Sequence, residues 1–437
     1  MLITSPSLRI TPVNYPLNAA VRVPGSKSLT NRALMISALA NGTTRLTNAL
    51  FSDDSRYFVK ALQTLGFDVQ LDEANHGMTV MGLGGKIPAT KAELFIGNSG
   101  TTARFLSAFL TLGHGEYVLD GDPRMRERPI GDLIDALHQL GVEMEATNNC
   151  PPVKISASGL LGGKTKIAGN ISSQFLSALL MVAPYAQSEI EITLSTELNS
   201  KPYVDMTIAI MRDFGVEIER QDYECFTIHP ASYLPLTTYQ IESDASAASY
   251  FFAAPAICGG TVCVENISRK SLQGDINFLD VLSQMGCMVN ETDDCLQVTG
   301  TTDLRGIDVD MRDIPDTAQT LAAIAPFAAS PTRIRGIASA RLKETDRVHA
   351  TCTELTRLGV RVEEHADGMT IHPVEQTRRA IIQTYNDHRM AMSFALIGLR
   401  VPGVTIENPS CVSKTFPNFF ELLETLRVPS PLGRGLG

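Results

Sequence analysis

Cations, hydroxyls and carboxylates gather in short clusters along this chain, each just ahead of an apolar run. Pro24-Gly25-Ser26-Lys27-Ser28 follows the strand-like AAVRV, and Arg32 lies four residues beyond Ser28. On a helix, residues four apart share a face, so Lys27, Ser28 and Arg32 suit a phosphate or carboxylate; a plain Ser cap with solvated cations is the competing explanation. The G-x-x-x-x-G-K-[ST] spacing of a Walker loop is absent. Gly97-Asn98-Ser99-Gly100-Thr101-Thr102 sets two glycines where backbone can approach a ligand closely, or simply where a strand turns into a helix. Arg124, Arg126 and Arg128 alternate ahead of Pro129; guanidinium matches oxyanion geometry, although such a run also fits a solvated face. Ser172-Ser173-Gln174 and Ser200-Lys201-Pro202-Tyr203 offer hydroxyls, an amide and an ammonium at two further helix starts.

The second half of the chain adds groups able to move protons. Asp316 follows Ile314-Pro315 at a helix start, as a cap or as a base. Arg341-Leu342-Lys343-Glu344-Thr345-Asp346-Arg347 crowds charges together, and on a helix Lys343 and Arg347 share a face, an arrangement easiest to explain if both point at an anion. Asn386-Asp387-His388-Arg389 brings His and Arg to another helix start, and Ser413-Lys414-Thr415 adds a cation. No metal-ligand spacing such as H-E-x-x-H, no paired Cys/His and no G-x-S-x-G elbow is present, and no nucleophile stands beside a base.

These clusters recur in one position of a repeat. They begin near Ser28, Gly100, Ser172, Asp244, Asp316 and His388, about 72 residues apart, and each opens a helix-like apolar run. A second helical pattern in each unit ends in Gly before an alternating strand: LGFDVQ, LGVEME, FGVEIE, MGCMVN and LGVRVE. That Gly fits the left-handed position just past a helix. The sixth copy ends in LRV without it. Each unit therefore predicts strand, helix, strand, helix, strand pair. Unpaired N–H groups make every helix start an anion site, and several aimed at one place would hold a highly charged small molecule.

At 437 residues and 44% hydrophobic, the chain can bury more than one core. Six units divide into three plus three, with a break near Thr238–Ser243. The predicted domains are 21–240, and a discontinuous second one of 1–20 plus 241–437, into which the strand-like SLRITPV (7–13) would pair. A net charge of −10 argues against general nucleic-acid binding but leaves room for a local basic site. No apolar stretch reaches about 18 residues, so no membrane span is expected. MLITSPSLRITPV lacks a basic start with an apolar core, which predicts no signal peptide. The eight cysteines are scattered without C-x-x-C pairs, as expected of reduced thiols in a cytoplasmic protein. The Gly-rich tail SPLGRGLG (430–437) is expected to fray.

Taken in order, the segments VPGSKSLTNRALMISALANG, SDDSR, LFIGNSGTTAR, GDPRMRERPIG, ISSQFLSALLM, SKPYVDMT, SDASAASYF, LQGDI, IPDTAQT, LKETDR, YNDHRMAMSFAL and SKTFPNFFE resemble the 5-enolpyruvylshikimate-3-phosphate synthase family, over roughly residues 20–424. The resemblance implies a two-domain, inside-out α/β barrel architecture. Each domain would hold three βαβαββ repeats, helices inside and sheets outside, with the active site in a cleft that closes on substrate. It implies transfer of the enolpyruvyl group of phosphoenolpyruvate to the 5-hydroxyl of shikimate 3-phosphate through a tetrahedral intermediate, without cofactor or metal. It also implies a cytoplasmic monomer with small-molecule substrates and no nucleic-acid or membrane partner. Carried over by position, Lys27, Ser28, Arg32, Ser172, Ser173, Ser200, Tyr203, Asp316, Ser339 and Lys343 resemble the shikimate 3-phosphate set. Lys27, Gly100, Arg128, Gln174, Glu344, Arg347, Arg389 and Lys414 resemble the phosphoenolpyruvate set, with His388 nearby. The catalytic groups implied are Lys27, Asp316, Glu344 and His388, with Asp316 taking the 5-hydroxyl proton and Lys27 and Glu344 serving the methylene. Glyphosate is implied as an inhibitor that competes with phosphoenolpyruvate. Two positions depart from many relatives: Ser339 stands in place of Asn, and Phe105 in place of Pro after Arg104.

Two other functions compete. The sister transferase acting on UDP-N-acetylglucosamine shares the fold but carries a reactive Cys on a mobile loop, and the Arg-rich segment 121–131 has no Cys. A non-catalytic repeat scaffold would have no need of Asp316, Glu344 and His388 together.

Overall fold

The helices that open each repeat are apolar on every side, and that decides where they lie. Every residue of Gly100–Phe109 is buried, as is all of Ala245–Cys258 except its last residue and all of His388–Arg400 except Arg400. A helix apolar all round belongs in an interior. The second helix of each repeat is one-sided instead: Asp53–Thr64 buries Phe58, Val59, Ala61 and Leu62 and leaves the opposite face to solvent. The computed structural model describes residues 5–293 and 295–427. The tail 430–437 lies outside the described residues.

The chain forms two compact bodies. One is Gly25–Glu242; the other joins the segment up to Pro24 to the chain from Ser243 onward. Each has its own core, with Phe105, Phe109, Phe175 and Phe214 in the first and Phe251, Phe252, Phe394 and Phe419 in the second. Burying such rings contributes roughly 1.5–3 kcal/mol apiece, enough to fix which helices go inside.

Outside the helices lie small mixed sheets. In the second repeat Lys91–Phe95 runs parallel to His114–Asp120, which pairs antiparallel with Cys150–Ser158, and Glu143–Thr147 closes the edge. The third and fifth repeats copy this order. Among the described residues the sheets stay separate and form no closed barrel. The glycines that end the second helices, Gly66, Gly141, Gly215, Gly286 and Gly359, all have φ between +84° and +102°. That is the left-handed turn expected of them, and a Cβ would strain it.

Three sheets break the simple repeat. Leu17–Arg22, the strand ahead of the first cluster, does not join its own repeat; it pairs in parallel with Gly260–Glu265 of the fourth. Its place in the first sheet is taken by Thr238–Gln240, parallel to Asn41–Thr47. In the sixth repeat Ser7–Arg9 pairs antiparallel with Thr405–Glu407, which also pairs in parallel with Ile381–Ile382. The expectation of eight reduced thiols is corrected. Cys263 and Cys295 sit diagonally on neighbouring antiparallel strands with Cα atoms 5.9 Å apart and are joined as a disulfide, while the other six cysteines are free.

Candidate active site

Capping chemistry sets the helix starts. Ser26, Ser99, Ser172, Asp244 and Asp387 each accept a backbone N–H as N-caps. The cap of the first helix is thus Ser26, and Lys27 and Ser28 are its first helical residues. The fifth repeat differs. There Pro315–Thr317 forms a 3₁₀ turn before Ala318–Ile324, and the Asp316 carboxylate bonds arginines rather than capping a helix.

In the first body the helix starts are linked from repeat to repeat. Gln174 Nε2 donates to Thr101 Oγ1 at 3.2 Å, joining the third start to the second. Arg32 reaches across all three repeats. Its Nε donates to Thr207 Oγ1 at 2.7 Å, Nη2 to Ser177 Oγ and to the Tyr203 carbonyl at 3.2 Å, and Nη1 to the Ser28 carbonyl at 3.0 Å. Its guanidinium lies 5.2 Å from the Phe105 ring centroid. Phe105, the departure noted in the sequence, is fully buried beneath that cation. Arg32 is 1% exposed, and its hydrogen bonds go to hydroxyls and carbonyls rather than to a carboxylate. Burial pulls its pKa down to about 10, against a smaller upward pull from Tyr203. A buried cation with no carboxylate partner among the described residues makes this end of the body attractive to an anion.

The remaining first-body candidates divide by environment. Lys27 Nζ lies 3.7 Å from Asp54 Oδ2, with both side chains largely buried. Arg128 is 4% exposed and donates from Nη1 to the Asn98 carbonyl and side-chain oxygen, both at 3.0 Å. Its guanidinium presses on Gly100: a Cβ there would meet Nη2 at 2.3 Å. Arg124 and Arg126 part company with it, in exposed pairs with Glu127 at 2.7 Å and Asp120 at 2.5 Å. Ser172, Ser200 and Tyr203 are half-buried and Ser173 is buried. Ser200 takes a left-handed φ of 58° to begin Lys201–Asp213.

In the second body the candidates form one ion-pair network. Arg347 donates to Asp387 (2.8 Å), Glu344 (2.9 Å) and Asp316 (3.1 Å). Arg389 donates to the other Asp316 oxygen at 2.6 Å and to Tyr250 Oη at 3.4 Å. Lys414 Nζ lies 3.5 Å from Glu344 Oε1. Arg347 is 4% exposed; burial lowers its pKa, the carboxylates of Asp387, Glu344 and Asp316 raise it, and the net direction is up. Burial also pushes Tyr250 up to about 12 despite Arg389, so the phenol stays protonated. His388 is 1% exposed, with Nδ1 3.7 Å from Asp387. Ser339 is half-buried in a 3₁₀ turn over Ala338–Leu342.

The helical pairing of Lys343 with Arg347 is corrected. Lys343 is extended, with φ −92° and ψ −150°, and Asp346 caps a helix that begins only at Arg347. Residues missed in the sequence are Asp54, Asp387 and Tyr250. Asp387 accepts both Arg347 and the Arg389 N–H, so it fixes the two arginines together. The only available signal was an acidic residue at a helix start, which a cap explains equally well. Among the described residues no cluster of His, Cys, Asp and Glu is placed to hold a metal ion, and no helix is long and apolar enough to cross a membrane.

Comparison with known proteins gives this geometry a context. Residues 13–423 match the family described as EPSP synthase (3-phosphoshikimate 1-carboxyvinyltransferase). A Nostoc punctiforme protein named 3-phosphoshikimate 1-carboxyvinyltransferase is 50% identical over 424 residues, covering 96% of this chain and 99% of its own. A Sulfurovum protein of the same name is also 50% identical, with the same coverage. Among solved structures, an EPSP synthase from Acinetobacter baumannii superposes with a TM-score of 0.80 at 27% identity, covering 97% of this chain and 98% of that one.

Proposed function

The chain belongs to the EPSP synthase family, and we propose that it transfers the enolpyruvyl group of phosphoenolpyruvate to the 5-hydroxyl of shikimate 3-phosphate, a step towards the aromatic amino acids. The observation that carries this reading is Asp316. Its two oxygens hold two buried guanidiniums, those of Arg347 and Arg389. A carboxylate so placed keeps cations ready for an incoming anion and becomes available as a base once that anion takes its place.

The proposed roles are those the family resemblance implies. In the first body Lys27, Ser28, Arg32, Ser172, Ser173, Ser200 and Tyr203 bind shikimate 3-phosphate, and Gly100, Arg128 and Gln174 serve phosphoenolpyruvate together with Lys27. In the second body Ser339 and Lys343 serve shikimate 3-phosphate, while Arg347, Arg389 and Lys414 bind the charged groups of phosphoenolpyruvate beside His388. Asp316 accepts the 5-hydroxyl proton as the oxygen bonds to C2, and Glu344 or Lys27 protonates the C3 methylene. In the second step C3 loses a proton, the C2–O bond to phosphate breaks and the enol double bond returns. The leaving phosphate supplies the driving force, so no cofactor is required. Arg347 and Lys414 both pair with Glu344, at 2.9 and 3.5 Å, and so hold this proton carrier beside the cations assigned to phosphoenolpyruvate.

The protein is read as a cytoplasmic monomer. The UDP-N-acetylglucosamine alternative is disfavoured by the absence of Cys in segment 121–131. An assay of phosphate release decides. Release should require both phosphoenolpyruvate and shikimate 3-phosphate; release with the UDP-sugar instead, or with neither acceptor, would overturn the assignment.

A further inference from the structure

The residues that present Arg389 approach it through an unusual piece of backbone. Tyr385 and Asn386 both have φ of 54°, two successive non-glycine residues in the left-handed region. Such a pair persists only where its surroundings hold it. Directly after it come Asp387, His388 and Arg389.

Glu354 lies at the centre of those surroundings. It is 0% exposed, and nothing in the proposed reaction uses it. Its Oε1 accepts Tyr385 Oη–H at 2.8 Å, and its Oε2 accepts the Gln383 N–H at 3.2 Å and pairs with Arg357 Nε at 3.1 Å. Glu354 shares the helix Arg347–Arg357 with Arg347, seven residues earlier and so on the same face. One helix face thus grips the 383–389 segment twice: Glu354 holds the turn, and Arg347 holds Asp387 at 2.8 Å beyond it. The Asn408 amide bonds Asn386 Oδ1 at 3.2 Å from the other side.

We infer that Glu354 is a positioning residue: by clamping the left-handed Tyr385–Asn386 turn it sets the direction in which Asp387, His388 and Arg389 enter the site. The inference rests on the assignment of Arg389 to phosphoenolpyruvate. Burial, then Glu354, pushes the Tyr385 phenol up to about 12, so it remains a donor across the working pH range.

The test separates the two substrates. Glu354→Ala should raise the KM for phosphoenolpyruvate about tenfold or more and leave that for shikimate 3-phosphate within about twofold, since the misdirected groups belong to the phosphoenolpyruvate set. Glu354→Gln keeps one acceptor oxygen for Tyr385 and should recover part of the loss. If Glu354→Ala does not fold, Tyr385→Phe, which removes only the hydroxyl, decides with an expected rise of about threefold in the same constant. A lower Tm with both KM values unchanged, or both raised equally, would overturn the proposal, because a merely structural carboxylate does one or the other. Arg389→Ala is the control for the premise. If it leaves the phosphoenolpyruvate KM unchanged, the site assignment fails; if it raises that KM while the Glu354 and Tyr385 variants do not, only the positioning proposal fails.

Discussion

Charge neutralisation around one carboxylate governs the chemistry proposed here. Asp316→Asn keeps the shape but loses the base, so kcat should fall at least about a hundredfold. The KM for phosphoenolpyruvate should not rise, because Arg347 and Arg389 lose a competing anion; a kcat within about threefold of the parent would remove Asp316 from the mechanism. The thiols give a second prediction. Burial raises Cys258, Cys352 and Cys411 to about 12 and Cys287 to about 11. At pH 8 their thiolate fractions are roughly 10⁻³ to 10⁻⁴, so iodoacetamide should leave all four unlabelled in the native protein by mass spectrometry. Labelling of Cys411 at the rate seen in denaturant would contradict its burial. Each thiol ionises near its ordinary value when unfolded and only higher when folded, so stability should decline as pH rises from about 9 towards 12. At this scale the sequence marked Arg347 and Lys27 as candidates, and the structure pairs both with carboxylates in buried surroundings. The sequence was unreadable for Asp54, Asp387 and Glu354, whose partners lie 27 to 40 residues away and whose acidity suits a cap or a helix surface equally well.

Elements were more legible than residues, because period and turn chemistry leave local marks. The five glycines at the ends of second helices announced their left-handed turns, and the polar openings announced buried helices. The charged run 341–347 misled because a 3₁₀ turn, an extended link and an N-cap look alike when all are charged. The Gly97–Thr102 turn carries a prediction of its own. A Cβ on Gly100 would sit 2.3 Å from Arg128 Nη2 and 2.8 Å from its Cζ, and Asn98 pins that guanidinium with two bonds. Gly100→Ala must displace Arg128. The KM for phosphoenolpyruvate should rise about tenfold, with that for shikimate 3-phosphate within about twofold. The Ki of glyphosate should rise by a larger factor than the phosphoenolpyruvate KM, since the two anions differ in shape. Equal changes in both would show that the loop does not discriminate between them.

The exchange of strands between the first and fourth repeats leaves no trace in the 72-residue period, because Leu17–Arg22 looks like every other leading strand. It makes the bodies unequal in sequence. Residues 25–242 contain every strand of the first body's sheets, so that fragment should fold alone and melt cooperatively by circular dichroism. Residues 243–427 lack Ser7–Arg9 and Leu17–Arg22 and would expose two sheet edges. That fragment should aggregate alone and become soluble when a peptide of residues 5–24 is supplied; solubility without the peptide would show the exchanged strand to be dispensable. Biosynthesis meets the same asymmetry as a matter of time. Leu17–Arg22 leaves the ribosome well ahead of its partner, which follows about 240 residues later, and at about 5–20 residues per second that is a wait of roughly 10–50 s. The whole first body can fold within that interval, while an unpaired strand waits at its threshold for a sheet that has not yet been translated.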